Sequence, residues 1–175
     1  MADANYGFTK NPRRKDPYKS YKFRIKWDKK TVLGVSKVSA LKRTTEVVTY
    51  RSGGDNSRNS KSPGQTTYDG ITCERGITHD LEFEKWANKV HPYEGDKAMD
   101  LAGCYKNLTL EVMNEKGHVV MRYFLFGCWV SEFTALPDLD ASGNAIAIES
   151  IKIELEAWKR DPATKEPDEK SDVAE

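Results

Sequence analysis

The sequence predicts a mainly β protein, a sandwich or barrel of about seven or eight antiparallel strands with one flanking α-helix. Three observations predict it. Residues 21–27, "YKFRIKW", alternate strictly: Tyr21, Phe23, Ile25 and Trp27 fall on one side, Lys22, Arg24 and Lys26 on the other. That period of two is a strand with one wet face. Further short runs of this kind are punctuated by turn signals, and helical spacing stands out in one place, "HDLEFEKWANKV" at 79–90.

Taken in order, residues 1–18 form a polar, basic N-terminal arm with two aromatics, Tyr6 and Phe8. The β domain is expected over 19–158 and an acidic tail over 159–175. After the first strand, Asp28-Lys29-Lys30 makes a turn, and "TVLGVSKVSAL" continues as a second strand with Gly34 as a bulge. The third strand is placed at about 44–50 and the fourth at about 66–75.

The helix is placed at about 80–90. Thr78 or Asp80 caps it, Glu82 and Glu84 sit at its positive end, and Lys89 at its negative end. Phe83, Trp86, Ala87 and Val90 share one stripe for packing, and His91-Pro92 stops the helix. The stretch 91–105 reads as irregular.

"NLTLEVM" and "HVVMRYFLFGCWVSEF" form a hairpin across Asn114–Gly117, with Gly117 in the left-handed position. The second arm is apolar on both faces, so it is either sandwiched between layers or covered by a neighbouring subunit. In the last strand, 145–158, the apolar phase moves from Ile146 and Ile148 to Ile151, Ile153 and Leu155. A bulge or sheet crossing near Glu149-Ser150 is therefore expected.

One stretch does not fit a compact domain. "RSGGDNSRNSKSPGQ", residues 51–65, holds no aliphatic or aromatic side chain other than proline, yet lies between strands. Loops longer than roughly 12–15 residues are usually functional or disordered. Apolar content is 38% over 175 residues, enough for only a thin core, so some stability is expected from partners.

The formal charge of +1 argues against bulk attraction to nucleic acid or anionic membrane. It is unevenly spread: residues 1–30 hold ten Lys/Arg against three Asp, and residues 161–175 hold six Asp/Glu against two Lys. No secretory h-region and no membrane-length apolar run is expected. Cys73, Cys104 and Cys128 lack CxxC spacing and read as buried reduced thiols.

Catalytic signatures such as GxSxG, HExxH and the Walker loop are absent. His79-Asp80 reads as a helix cap rather than a catalytic pair. "DLDASGNAIAIE" places Asp138, Asp140, Ser142 and Glu149 at calcium-loop spacing, but its flanks alternate as strands, so it reads as a turn. In "RRKDPYKSYKFRIKW" the aromatics point to the core and the cations to water, so a solvated face is favoured over a nucleic-acid surface. No cofactor is implied.

With the strands placed, "DPYKSYKFRIKWD", "GVSKVSALKRTTEVVTYRSGGD", "SPGQTTYDGITCERGITHDLEFEKWANKV" and "CWVSEFTALPDLDASGNAIAIESIKIELEAW" resemble, in order, the tail tube protein family. That family forms the inner tubes of contractile phage tails and phage-like contractile injection systems. The resemblance spans about residues 16–158. It implies a non-enzymatic subunit that forms hexameric rings, stacked into a hollow tube with cargo in its lumen. The implied partners are further copies, a sheath protein, and baseplate and terminator or cap proteins. Assembly would occur in a bacterial cytoplasm, without membrane binding by the subunit.

The resemblance also implies that the long loop contacts the adjacent ring, through Arg51, Gly53, Gly54, Asp55, Arg58, Lys61, Pro63 and Gly64. Glu46, Val48, Tyr50, Thr67, Tyr68 and Thr72 are assigned to lumen or intersubunit strands. The alternatives are a monomeric β-barrel ligand binder, a calcium-dependent β domain and a baseplate tube-initiator paralogue.

Overall fold

A computed structural model describes residues 18–27, 30–32, 34–51, 53, 59–90, 101–139 and 146–165. The strands are β1 (Phe23–Trp27), β2 (Lys30–Thr31), β3 (Val35–Val38), β4 (Arg43–Tyr50), β5 (Ser60–Tyr68), β6 (Ile71–Gly76), β7 (Lys106–Met113), β8 (Val119–Thr134), β9 (Ile148–Glu154) and β10 (Ala157–Arg160). Two helices, α1 (Glu82–Val90) and α2 (Leu101–Cys104), lie between β6 and β7 in the chain. The chain divides into two compact units, one of Met1–Val32, Asn107–Leu125 and Lys159–Glu175, the other of Leu33–Lys106 and Phe126–Trp158. Strand β8 contributes residues to each.

In the first unit the strand order is β2-β1-β7-β8. β1 pairs antiparallel with β7, Ile25 opposite Leu110 and Trp27 opposite Leu108. Ile25, Trp27, Leu108 and Leu125 are buried, and the period of two in β1 puts Ile25 and Trp27 on one face. The β7–β8 turn closes as its sequence demands. Asn114 Oδ1 accepts from the His118 amide at 2.9 Å, and Gly117 adopts φ +85°.

The wet face of this sheet carries a buried carboxylate. Arg24 lies directly opposite Glu111 in the register, and Glu111 is closed off from water by three cations. Arg24 Nε donates to Oε2 at 2.8 Å, Lys26 Nζ to Oε1 at 3.1 Å and Arg122 Nε to Oε1 at 3.1 Å. Burial pushes the Glu111 carboxyl up, but the hydrogen bonds and charges of Lys26 and Arg24 outweigh it and hold it below the ordinary carboxylate range.

In the second unit the order is β8-β9-β6-β3, with β4 and β5 forming a separate two-stranded sheet. Ile71, Cys73, Cys128, Val130, Ile151 and Ile153 make the core, and Phe83 and Trp86 of α1 are buried. Ala87 and Val90, the other two residues of the expected stripe, are half-buried. Trp86 Nε1 donates to the Cys104 carbonyl at 2.7 Å, and the Lys106 ammonium lies 5.3 Å from the Trp86 ring centroid. All three cysteines are buried free thiols. Burial, and then Cys128, push the Cys73 thiol up to about 12, so it is inert.

Three expectations change. The fourth strand, read as 66–75, is two strands, β5 and β6, interrupted at Asp69-Gly70. Gly70 stands at the break, where a Cβ would sit 2.6 Å from Glu154 Oε2, so the Glu154 carboxylate occupies the space a side chain would need. The bulge expected near Glu149-Ser150 does not occur, because β9 pairs with β6 in unbroken register from Ile148 to Ile153. Glu149 instead points inward and Ile148 outward, and the register shift lies in β8 between Val130 and Glu132.

The third change concerns β8, where the apolar character of both faces has a local cause. Gly127, at φ +61°, breaks the alternation, so buried Leu125 and buried Cys128 lie three residues apart.

Glu149 is tolerated inside because Arg75, directly opposite it, is also buried. Arg75 Nε donates to Glu149 Oε1, its Nη1 to Asp80 Oδ2 at 2.8 Å, and its guanidinium lies 4.1 Å from the Phe83 ring centroid. Asp80 Oδ1 in turn accepts from the Glu82 amide at 3.0 Å, capping α1 as expected. One guanidinium therefore fixes β6, β9 and the start of the helix. Among the described residues no helix is long and apolar enough to cross a membrane.

Candidate assembly surface

The β4–β5 ribbon is a part of the second unit that the described residues leave bare. All eight residues of β4 are exposed. Val47, Val48 and Tyr50 show 62%, 49% and 56% of their surface. A lone two-stranded ribbon is marginal in water, and its outer edges carry unpaired N–H and C=O groups.

The pairing is antiparallel from Arg43 opposite Tyr68 to Tyr50 opposite Ser60, with a register shift between Thr45 and Val47. Gly64 stands at that irregularity, where a Cβ would lie 3.0 Å from Val48 Cγ2 and 3.3 Å from the Glu46 carbonyl. Pro63, which has no N–H to give, sits beside the irregularity. Thr45 and Thr66 share a hydroxyl hydrogen bond at 2.9 Å across the ribbon. At the root, Lys42 pairs with Asp69 at 3.0 Å, and Tyr68 meets Trp158 edge-on at 6.2 Å between centroids.

The long loop is shorter than its sequence implied. Lys61, Pro63 and Gly64, assigned to it, lie in β5, so the connection spans 51–59. Arg51 is exposed at the end of β4, and Gly53 lies in the connection, whereas Gly54, Asp55 and Arg58 fall outside the described residues. Of the strand residues singled out, Glu46, Val48, Tyr50, Thr67 and Tyr68 come together in the ribbon. Thr72 does not: it lies in β6 opposite Lys152, and its amide donates to Ser39 Oγ at 2.9 Å.

Of the calcium-like spacing, Asp138 and Glu149 are described. The Glu149 carboxylate is taken by Arg75, Asp138 is exposed, and Asp140 and Ser142 fall outside the described residues. The N-terminal arm to residue 17 and the tail beyond Lys165 lie outside them as well. Two groups that sequence reasoning missed are Glu111 and the Arg75–Glu149 pair. For the second, the signal was an acidic residue in phase with Ile151 and Ile153.

With this geometry in place, the comparisons are decisive for the family. The profile of the T4-like virus tail tube protein gp19 family matches residues 19–159. The chain belongs to that tail tube family.

Solved structures share its fold. A chain of the extracellular contractile injection system PVC sheath-tube complex in its extended state superposes with a TM-score of 0.70 at 22% identity, covering 84% of this chain and 93% of that one. A chain from the anti-feeding prophage tube-terminating cap gives 0.71 at 21% identity, with 85% and 93% covered. A chain from the anti-feeding prophage baseplate gives 0.69 at 21%, with 84% and 97% covered. No curated protein matches the chain in sequence.

Proposed function

We propose that this tail tube family member is a structural subunit of the inner tube of a contractile tail or injection system, and that it acts by self-assembly rather than by catalysis. The observation that carries the reading is the bare β4–β5 ribbon in a chain of this family. Its unpaired edges and exposed Val47, Val48 and Tyr50 gain neighbours when copies close into hexameric rings and the rings stack into a hollow tube. Polar ribbon residues such as Glu46 and Thr67 suit a wet lumen for cargo.

The partners proposed are a sheath around the tube and baseplate and cap proteins at its ends, with assembly in a bacterial cytoplasm. Negative-stain microscopy of the purified protein tests the reading. Rings or hollow rods are expected, and featureless single subunits at every concentration would refute it. A variant lacking residues 53–58 removes only the tip of the ribbon. It is expected to stay folded, with the strand signature of circular dichroism intact, and to lose stacking into rods.

A further inference from the structure

The wet face of the first unit holds more positive than negative charge. Lys22, just before β1, shares that face with Arg24 and Lys26 by the period of two. Arg24, Lys26 and Arg122 divide the single Glu111 carboxylate among them, and their side chains keep 34%, 30% and 34% of their surface in water. The Lys22 ammonium donates to the uncharged carbonyl of Glu115. Asp161 is the second carboxylate of the cluster, 3.5 Å from Arg122 Nη1. Four cations therefore meet two carboxylates at this place among the described residues.

The chain leaves its last strand beside these cations. β10 pairs with β8, and the Asp161 amide donates to the Arg122 carbonyl at 2.8 Å. The Asp161 carboxylate then closes a turn, accepting from the Ala163 amide at 2.9 Å and the Thr164 hydroxyl at 2.6 Å. One carboxylate thus holds both Arg122 and the turn. Residues 166–175, which come next, carry Glu166, Asp168, Glu169, Asp172 and Glu175 against Lys170 alone.

We infer that the acidic segment 166–175 docks on this face of its own chain, with its carboxylates against Lys22, Arg24, Lys26 and Arg122. The inference is independent of the self-assembly reading above. Charge argues for this occupant, because a segment with four more acidic than basic side chains meets a face with two more cations than carboxylates. Reach argues for the same chain. From β10 across β8 and β7 to β1 is three strand spacings, roughly 14 Å, and ten residues of extended chain cover up to roughly 33 Å. A segment already joined to the face through the Asp161 turn has an effective concentration that a separate copy in dilute solution does not match. An acidic stretch of another protein then gains this face only by displacing 166–175.

The test traps the contact in the full chain. Thr109 lies opposite Lys26 in the register, so the variant Thr109→Cys/Ser171→Cys places one thiol on the face and one in the acidic segment. Cys73, Cys104 and Cys128 are buried, which leaves the two introduced thiols to be oxidised by copper phenanthroline. A second pair, Met113→Cys/Ser171→Cys, probes the same face and serves should the first alter the circular dichroism spectrum.

A disulfide within one chain is expected, with no mixed pairs by mass spectrometry in a one-to-one mixture of isotope-labelled and unlabelled protein. Its formation is expected to slow about tenfold in about 1 M salt, where charge acts over only about 3 Å. The same slowing is expected when Glu166→Gln/Asp168→Asn/Glu169→Gln is added, since these changes fall after the last strand and remove only charge. Trapping at one rate whatever the salt and the segment's charge would mean tethering without docking. Mixed pairs would mean that a second copy fills the face, and no disulfide from either pair would mean that the segment lies elsewhere. Each of these three results overturns the inference and leaves the tube reading standing.

Discussion

Replacing Arg75 with leucine is expected to lower the unfolding free energy by about 3–5 kcal/mol, the cost of leaving one member of a buried ion pair without its partner. Arg75 and Glu149 show 1% and 9% of their side-chain surface, so water cannot take over from the lost guanidinium. The same substitution removes the donor at 2.8 Å from Asp80, which caps α1, and the cation over Phe83. Urea unfolding followed by tryptophan fluorescence measures the loss, and a change below about 1 kcal/mol would show that the pair is not a structural hub.

The double variant Arg75→Leu/Glu149→Leu sharpens the test. Two apolar side chains filling the same space carry no desolvation penalty, so most of the lost stability is expected to return.

What was readable from the sequence follows from what each element packs against. "YKFRIKW" announced a strand because one face of β1 is core and the other is water. Phe83 and Trp86 announced a helix for the same reason, and Asp80 announced its start. β5 gave no such signal. "SKSPGQTTY" has no apolar alternation, since no layer of its own chain covers the ribbon. Strand preference is largely a response to packing, so a strand without a covering layer reads as a loop.

Glu149 misled the reading for a related reason. An acidic residue amid isoleucines looks like a change of phase unless its partner is known, and Arg75 is 74 residues away. The candidate surface was legible as the anomaly of a polar stretch between strands. The exposure of Leu136, Ile146 and Ile148 was not, because they read as ordinary core residues.

Glu111→Gln is expected to cost about 1.5–3 kcal/mol at neutral pH, the range for hydrogen bonds made by charged groups. The figure stays below that for Arg75 because Arg24, Lys26 and Arg122 each keep about a third of their side-chain surface in water, which screens them once the carboxylate is gone. The pH dependence separates this account from a simple loss of packing, since glutamine has nearly the same shape. The folded-state pKa of Glu111 lies below its ordinary value of 4.5. Its contribution is therefore fully present above the unfolded-state pKa and is lost as pH falls through the folded-state pKa.

Wild-type protein is thus expected to lose this contribution on acidification below about pH 4.5, while Glu111→Gln shows a shallower fall over the same window. The difference between the two proteins should shrink as pH falls. A gap that stays constant from neutral pH through the acid limb would mean that shape, and not the charge shared by three cations, holds β1, β7 and β8 together at this point.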